Sequence, residues 1–340
     1  MARGIGMIVA AHRLPRSAVV LCSYNGERFL PLQLASLAAQ TRQPEVYVLS
    51  DDASSDATWS LLQAFADERR LAGCEVVLHR NDANVGYVRH FEQALQRAEA
   101  DVVFPCDQDD VWHPHKIATM LDEFARRPEL LMLHCDARLV DADGRPLGRR
   151  LLEVLEVSAR EMTAMHDGRG FDVLLRRNIV TGAAMGFRRA VLDGALPVAD
   201  GWSHDEWIAI IAATRGRIDT LEEAVIDYRQ HGGNQIGVRE RSPTQRYLGI
   251  GVGRRQFLQR LVQRQAGLAG HLRERVRGDA EASREWEEAE DRLRHSTARA
   301  GLSTDPLKRL RQVAGEWRSG RYARYGSGWR SALSDLLGLD

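Results

Sequence analysis

Short apolar runs alternate with segments of helical periodicity from residue 18 onward. β-Branched apolar runs predict buried strands, and apolar residues spaced three and four apart predict amphipathic helices. The predicted strands are 18–22, 46–49, 76–79, 101–104, 130–134 and 224–228. The predicted helices are 29–40, 57–71 (with Asp56 as its N-cap), 90–98, 116–127 and 205–214. This order predicts an α/β fold with a parallel, doubly wound sheet and helices on both faces.

The pattern changes near residue 240, beyond which strand formers are few and Arg, Gln and Glu dominate. Within the α/β part, Asp143-Gly144 predicts a hairpin turn, and the Gly-punctuated stretch 145–170 predicts a loop over the site. We therefore expect an N-terminal extension (1–17), an α/β domain (18–240) and a helical C-terminal region (241–340).

Composition and charge narrow the class of protein. The chain has 340 residues, 44% hydrophobic and 28% charged, which is typical of a globular protein. Its 47 basic and 47 acidic residues balance, which argues against a nucleic-acid binder. The four cysteines form no CxxC pair and are expected as buried thiols in a reducing cytosol. The apolar stretch 5–11 is short and interrupted, so we expect a cytoplasmic protein, free or attached at a membrane surface.

Acidic clusters follow two of the predicted strands, at the edge where open α/β sheets bind ligands. Asp107, Asp109 and Asp110 place three carboxylates within four residues. Such a cluster is tolerated most readily when a cation lies among the carboxylates, and hard divalent ions also bridge to phosphates. Asp51 and Asp52 could accept hydrogen bonds from a ribose or a base, or form a solvated turn.

Two later segments also combine polar side chains with strand or helix ends. In the run 204–207, Asp205 is a candidate general base, Glu206 is its alternative, and an acidic helix N-terminus is the structural alternative. In the run 228–234, Arg229 could clamp a phosphate and His231 could bind a metal. Taken alone, the runs 22–27 and 84–87 are weak evidence for contact with a ligand.

Taken together, these segments resemble the family 2 glycosyltransferases with the GT-A fold, most closely the bacterial rhamnosyltransferase-like branch. The resemblance spans residues 18–240. It rests on the runs LCSYNGERFL (21–30), SDDASSD (50–56), NVGY (84–87), CDQDDVW (106–112), TGAAMGF (181–187), HDEW (204–207) and YRQHGGN (228–234). It implies a Rossmann-like, mostly parallel sheet and an inverting sugar transfer from a nucleotide-diphosphate donor to a surface-glycan or lipid-linked acceptor.

The resemblance also implies roles for individual residues. Asp109 and His231 would bind Mn²⁺ or Mg²⁺, and Asp205 would be the catalytic base. Because the branch often carries an aromatic residue where this chain has Glu206, the choice between these two carboxylates stays open. The residues implied in nucleotide-sugar binding are Ser23, Tyr24, Asn25, Glu27, Asp52, Asn84, Gly86, Asp107, Gln108, Thr181, Gly182 and Arg229.

Other classes of protein fit the sequence less well. A nucleotide-binding regulator or scaffold with a degenerate site would need neither Asp109 nor Asp205. A phosphoacceptor domain would be much shorter, and a dehydrogenase would carry G-x-G-x-x-G near its first strand, which this chain lacks.

The segment Lys308–Arg330 mixes basic residues with four aromatic ones, Trp317, Tyr322, Tyr325 and Trp329. This composition suits an anionic membrane surface at the inner face of the cytoplasmic membrane. A helical appendage that packs on the catalytic domain, or a homodimer contact, is the alternative.

Overall fold

The computed structural model describes residues 14–232, 253–276 and 283–338, with the side chain of Ser283 left out. The strands β1–β9 are Ser17–Ser23, Val46–Asp51, Glu75–Arg80, Val102–Cys106, Val111–Trp112, Leu130–Val140, Pro146–Arg150, Met185–Arg188 and Arg217–Arg229. The predicted domain boundary near residue 240 and most of the predicted N-terminal extension lie outside the described residues.

The helices of the α/β part are α1–α9, and the C-terminal part contributes α10–α14. Their bounds are Leu30–Ala38, Thr58–Leu71, Tyr87–Gln96, Lys116–Arg126, Leu151–Val154, Ala159–His166, Gly170–Arg176, Leu192–Ala195, His204–Ala213, Arg254–Val276, Ser283–Ala300, Pro306–Arg318, Arg321–Tyr325 and Trp329–Leu337. None of the helices in the described ranges is long and apolar enough to cross a bilayer.

The strands form one mixed sheet in the order β3-β2-β1-β4-β8-β6-β9-β5, with β7 paired to β6. The first four strands are parallel. Strand β8 then runs antiparallel to both β4 and β6, while β6 and β9 are parallel. The predicted mostly parallel α/β sheet is confirmed. The expectation of an entirely parallel sheet is wrong, because β8 lies between β4 and β6 and runs antiparallel to both.

Alternate residues of β1 enter opposite apolar layers, as expected for a central strand. Val20 packs with α3 and α9 on one face, and Leu21 packs with α1, α2 and α4 on the other. The polar ends of the strands are thereby held at one edge of a rigid, doubly covered sheet.

Residues 145–170, predicted as a loop, contain β7, α5 and α6, and α7 begins at Gly170. Ser158 and Glu161 explain part of this difference. The Ser158 hydroxyl accepts from the Glu161 N–H, and the Glu161 carboxylate accepts from the Ser158 N–H. This S-x-x-E capping box is a helix-start signal that the Gly-rich surroundings obscured.

The C-terminal helices pack on the α/β part and also have a small core of their own. Leu268 and Leu272 of α10 join the apolar layer that contains α9. Val313, Tyr322 and Ala332 form the separate core of α12–α14. The predicted helical C-terminal region is confirmed over the ranges that the structure describes.

Candidate active site

The loop after β4 meets the loop after β9 at the carboxyl edge of the sheet. Asp109 Oδ2 lies 2.7 Å from His231 Nε2, although 122 residues separate the two in sequence. The His231 ring packs against Phe29 with 4.5 Å between ring centroids. The structure therefore brings together the two residues predicted as metal ligands.

Negative charge is concentrated at this edge. Burial, together with the carboxylates of Asp109 and Asp205, raises the pKa of Asp107 to about 7. Burial and the neighbouring carboxylates also raise the pKa of Asp110 well above its usual value. One oxygen of Asp110 accepts the Arg229 N–H at 2.9 Å, and the other has no hydrogen-bond partner among the described residues. An added cation would offset this repulsion.

The donor set fits a divalent cation that is shared with a ligand. No group of three or more His, Cys, Asp or Glu side chains in the described ranges is arranged to hold a metal ion. Two donors suffice where phosphates and water complete the coordination, as is usual for Mg²⁺. Asp109 and His231 are hydrogen-bonded to each other at 2.7 Å, and a cation bound by both side chains would replace this bond.

Asp205 lies in the first turn of α9 and is largely buried. Its Oδ2 accepts the Gly182 N–H at 2.9 Å, and its Oδ1 accepts the Glu206 N–H at 2.9 Å. Two backbone N–H groups therefore hold the Asp205 carboxylate in position at the start of α9. The structure thus joins Asp205 to the segment 181–184, and the nucleotide-sugar contacts implied for Thr181 and Gly182 stay predictions.

Two buried side chains that the sequence analysis did not single out also hold this segment. Lys116 Nζ donates to the Ala183 carbonyl at 2.6 Å and lies 3.5 Å from the centre of the Trp112 ring. His134 Nε2 accepts the Thr181 N–H at 3.2 Å, and burial lowers the pKa of His134 to about 3, which keeps this ring neutral. A lysine at an apolar position of a predicted helix was the available signal.

Glu206 points to a different partner. Its carboxylate accepts from Arg264 of α10 at 2.7 Å, and the Arg264 guanidinium stacks 4.2 Å from the centre of the Trp202 ring. Trp202 Nε1 also donates to the Arg264 carbonyl at 3.0 Å. Glu206 therefore links helix α9 to the C-terminal region.

His204 precedes Asp205 and is buried against Phe91. The two rings are stacked, with 4.0 Å between centroids. Burial lowers the pKa of His204. Neither ring nitrogen has a hydrogen-bond partner in the part of the chain that the structure describes. The His204 imidazole is therefore a buried, neutral ring beside Asp205.

The loop after β1 is held to the acidic loop by Gln108. The Gln108 side chain accepts the Tyr24 N–H at 2.9 Å and donates to the Tyr24 carbonyl at 3.1 Å. Gly26 permits this contact, because a Cβ there would lie 2.2 Å from Gln108 Oε1. The Tyr24 ring remains exposed at the edge of the sheet, where it could stack on a base.

Asn25 and Glu27 connect the same loop to the start of α2. The Asn25 side-chain oxygen accepts the Ser55 N–H at 2.9 Å, and a Glu27 carboxylate oxygen accepts the Ala57 N–H at 3.0 Å. These bonds fix the loop. The nucleotide contacts implied for both side chains stay predictions.

Asp52 organises the loop after β3. Its buried carboxylate accepts from the Asn81 side chain at 2.7 Å and from the N–H groups of Val85 and Gly86 at 3.0 and 3.1 Å. Asn84, in the same loop, is exposed. These bonds fix the 84–86 backbone against the end of β2, and the implied base contact of Asp52 stays a prediction.

Ser23 and Arg229 are bonded within the protein. The Ser23 hydroxyl donates to the Ser50 carbonyl at 3.1 Å. The buried Arg229 guanidinium donates to the Asp109 carbonyl at 2.7 Å and to the Ala142 carbonyl at 3.1 Å. Arg229 thereby supports the backbone of the loop that carries Asp109. A phosphate contact by this guanidinium would require these bonds to be exchanged.

Comparison with known proteins gives the family. The sequence profile of Glycosyl transferase family 2 matches residues 18–194, which is more than half of the 340-residue chain. The chain therefore belongs to this family, and the predicted family is confirmed.

Individual relatives are distant. An uncharacterised protein of Mycobacterium tuberculosis is 26% identical over 216 residues, covering 63% of this chain and 58% of that protein. A Nostoc protein described as an uncharacterised glycosyltransferase is 25% identical over 225 residues, covering 64% of this chain and 65% of that protein. This chain spans about three fifths of the length of these curated relatives.

A solved structure of S. aureus TarS in complex with UDP-GlcNAc resembles this protein in fold. The TM-score is 0.52 at 18% identity, with 95% of this chain and 92% of that chain covered. The likeness confirms the predicted fold class.

Proposed function

We propose that the protein is an inverting, metal-dependent glycosyltransferase that transfers a sugar from a dTDP- or UDP-linked donor to a hydroxyl acceptor. One observation carries the proposal. The Asp109–His231 pair and the backbone-bonded Asp205 lie at the same edge of the sheet. Burial and the carboxylates of Asp109 and Asp205 together raise the pKa of Asp107. A regulator with a degenerate site would have no need of either arrangement.

The donor is expected to lie along the loops after β1, β2 and β3. Tyr24 offers an exposed ring, and the Asp52 carboxylate, which accepts the N–H groups of Val85 and Gly86, holds the loop after β3 in place. The family relationship and the UDP-GlcNAc bound by TarS support a nucleotide sugar. The resemblance to rhamnosyltransferases supports rhamnose as the sugar.

In the proposed reaction, Asp109 and His231 would hold Mn²⁺ or Mg²⁺, which would neutralise charge that develops on the leaving diphosphate. Asp205 takes the proton of the acceptor hydroxyl. The acceptor oxygen bonds to the anomeric carbon while the bond to the diphosphate breaks on the opposite face. One displacement of this kind inverts the anomeric configuration. The hydrogen bond from Gly182 fixes the base without neutralising it.

The acceptor in this proposal is a hydroxyl of a bacterial surface glycan or of a lipid-linked glycan. A lipid-linked acceptor would bring the enzyme to the inner face of the cytoplasmic membrane.

The experiment is a donor screen that measures released UDP or dTDP in the presence of Mn²⁺ and a bacterial membrane extract as the acceptor source. We expect one donor class to be consumed by the wild type and not by Asp205→Asn. Asp67→Asn, on the exposed face of α2, is the matched control and should retain activity. Equal activity of folded Asp205→Asn and the wild type would contradict the proposed role of Asp205.

A further inference from the structure

Helices α12 and α14 expose an unusual number of large apolar side chains. Six such side chains are each 45% to 71% exposed to solvent. They are Leu307, Leu310, Trp317, Trp329, Leu333 and Leu337. The last three are spaced four residues apart and form one row along α14. Val313 and Ala332 face the small core instead. Each helix therefore buries one apolar face and leaves a second apolar row uncovered.

The surroundings of these rows are cationic. Residues 306–338 contain seven basic and two acidic residues, a net charge of +5 in a chain whose total is zero. Both acids are engaged internally. Glu316 pairs with Arg321 and His295, and the buried Asp335 accepts from Arg299 at 2.8 Å.

The aromatic residues of the region divide into two groups. Tyr322 and Tyr325 are buried, and they belong to the packing of the helical region. Trp317 and Trp329 are half-exposed, and exposed basic residues lie within one turn of each: Arg318 next to Trp317, and Arg330 with its guanidinium 5.6 Å from the Trp329 ring centre. Half-exposed tryptophans flanked by arginines are typical of surfaces at the headgroup level of a bilayer.

We propose that this cationic apolar surface of α12 and α14 docks on the surface of an anionic lipid bilayer. The apolar rows would enter the headgroup region, and the basic side chains would bind lipid phosphates. A second copy of the chain is a poorer occupant, because two copies of this basic surface repel each other. Docking does not depend on the proposed catalysis. Where the proposed function also holds, docking brings the site to a lipid-linked acceptor.

The test is flotation of the full chain, without donor, with vesicles of phosphatidylcholine alone or mixed with phosphatidylglycerol. We expect binding to the mixed vesicles and its loss at high salt. At about 1 kcal/mol for each basic residue, Arg311→Gln combined with Arg318→Gln should lower the partition coefficient about 30-fold. Arg160→Gln, an exposed arginine of α6, is the charge control and should bind like the wild type.

Trp317→Ala combined with Trp329→Ala should also weaken binding, whereas Leu71→Ala, which removes an exposed side chain from α2, should not. Circular dichroism of each variant checks that the helices are retained. Absence of binding to anionic vesicles would overturn the proposal, and so would full binding by both double variants. A concentration-dependent dimer that the tryptophan substitutions abolish would identify a second copy as the occupant and would also overturn it.

Discussion

Replacing Glu206 and Asp205 in turn should separate the two carboxylates that the sequence left as alternative bases. Glu206→Gln removes the charge that faces Arg264 and keeps an oxygen that can accept its N–H group. Asp205→Asn removes the proposed base and keeps most of its volume. We expect Glu206→Gln to remain active and Asp205→Asn to lose nearly all activity.

The structure gives the expected size of both effects. The side chains of Glu206 and Arg264 are 20% and 28% exposed, so screening limits their ion pair to about 1 kcal/mol of stability. Helix α9 also packs through the fully buried Trp207 and Ile208, so the loss of that pair should leave Asp205 in place. Loss of a general base costs about 10²- to 10⁴-fold in rate, against less than about 5-fold expected for Glu206→Gln.

Two assays measure these effects. Release of UDP or dTDP gives the rate of each variant, and urea unfolding gives its free energy of unfolding. A double-mutant cycle with Arg264→Gln should give a coupling of about 1 kcal/mol in stability. A folded Glu206→Gln variant that loses as much activity as Asp205→Asn would refute the reasoning and make Glu206 the better candidate for the base.

Three further predictions concern residues that shape the site. Gly26→Ala places a Cβ 2.2 Å from Gln108 Oε1 and should weaken nucleotide binding about tenfold in calorimetry; unchanged affinity would contradict this contact. Gly182→Ala places a Cβ 3.2 Å from the Cβ of Asp205, the proposed base, and should lower the turnover rate, measured as released UDP or dTDP, about 10- to 100-fold. Gly270→Ala, whose added Cβ would meet no atom within 4 Å, should leave this rate unchanged. Burial lowers the pKa of His134 from 6.5 to about 3, so the unfolded state binds its proton first as the pH falls and stability is lost below about pH 6.5. Urea unfolding should show about 2 kcal/mol less stability at pH 5 from this residue, and His134→Gln should remove that part; an unchanged pH dependence would contradict the assignment.

The fold was predictable where the hydrophobic pattern of a segment is enough to determine its secondary structure. The runs 18–22 and 46–49 became β1 and β2 because continuous apolar sequence suits a strand covered on both faces. The direction of β8 was not predictable, because it depends on the route of residues 141–184, which contain several short helices. Of these helices, α6 had a readable capping box, and α5 is only four residues long.

The site was predictable to the extent that residue type reveals chemistry. Asp109, His231 and Asp205 stood out because they are the carboxylate and imidazole residues of the motifs that carry the family resemblance. Lys116 and Arg264 did not stand out, because their roles arise from burial and from contacts across 67 and 58 residues. The same limit applies to the tail, where sequence alone did not separate buried tyrosines from exposed tryptophans.

Calorimetry of nucleotide binding tests the central claim most directly. UDP and dTDP are each titrated into the wild type and into Asp109→Ala, with and without Mn²⁺. The account predicts that one nucleotide binds the wild type, that binding strengthens with Mn²⁺, and that Asp109→Ala loses the dependence on the metal. If neither nucleotide binds the wild type under any metal condition, the proposed glycosyltransferase activity is contradicted and a scaffold with a degenerate site becomes the better account.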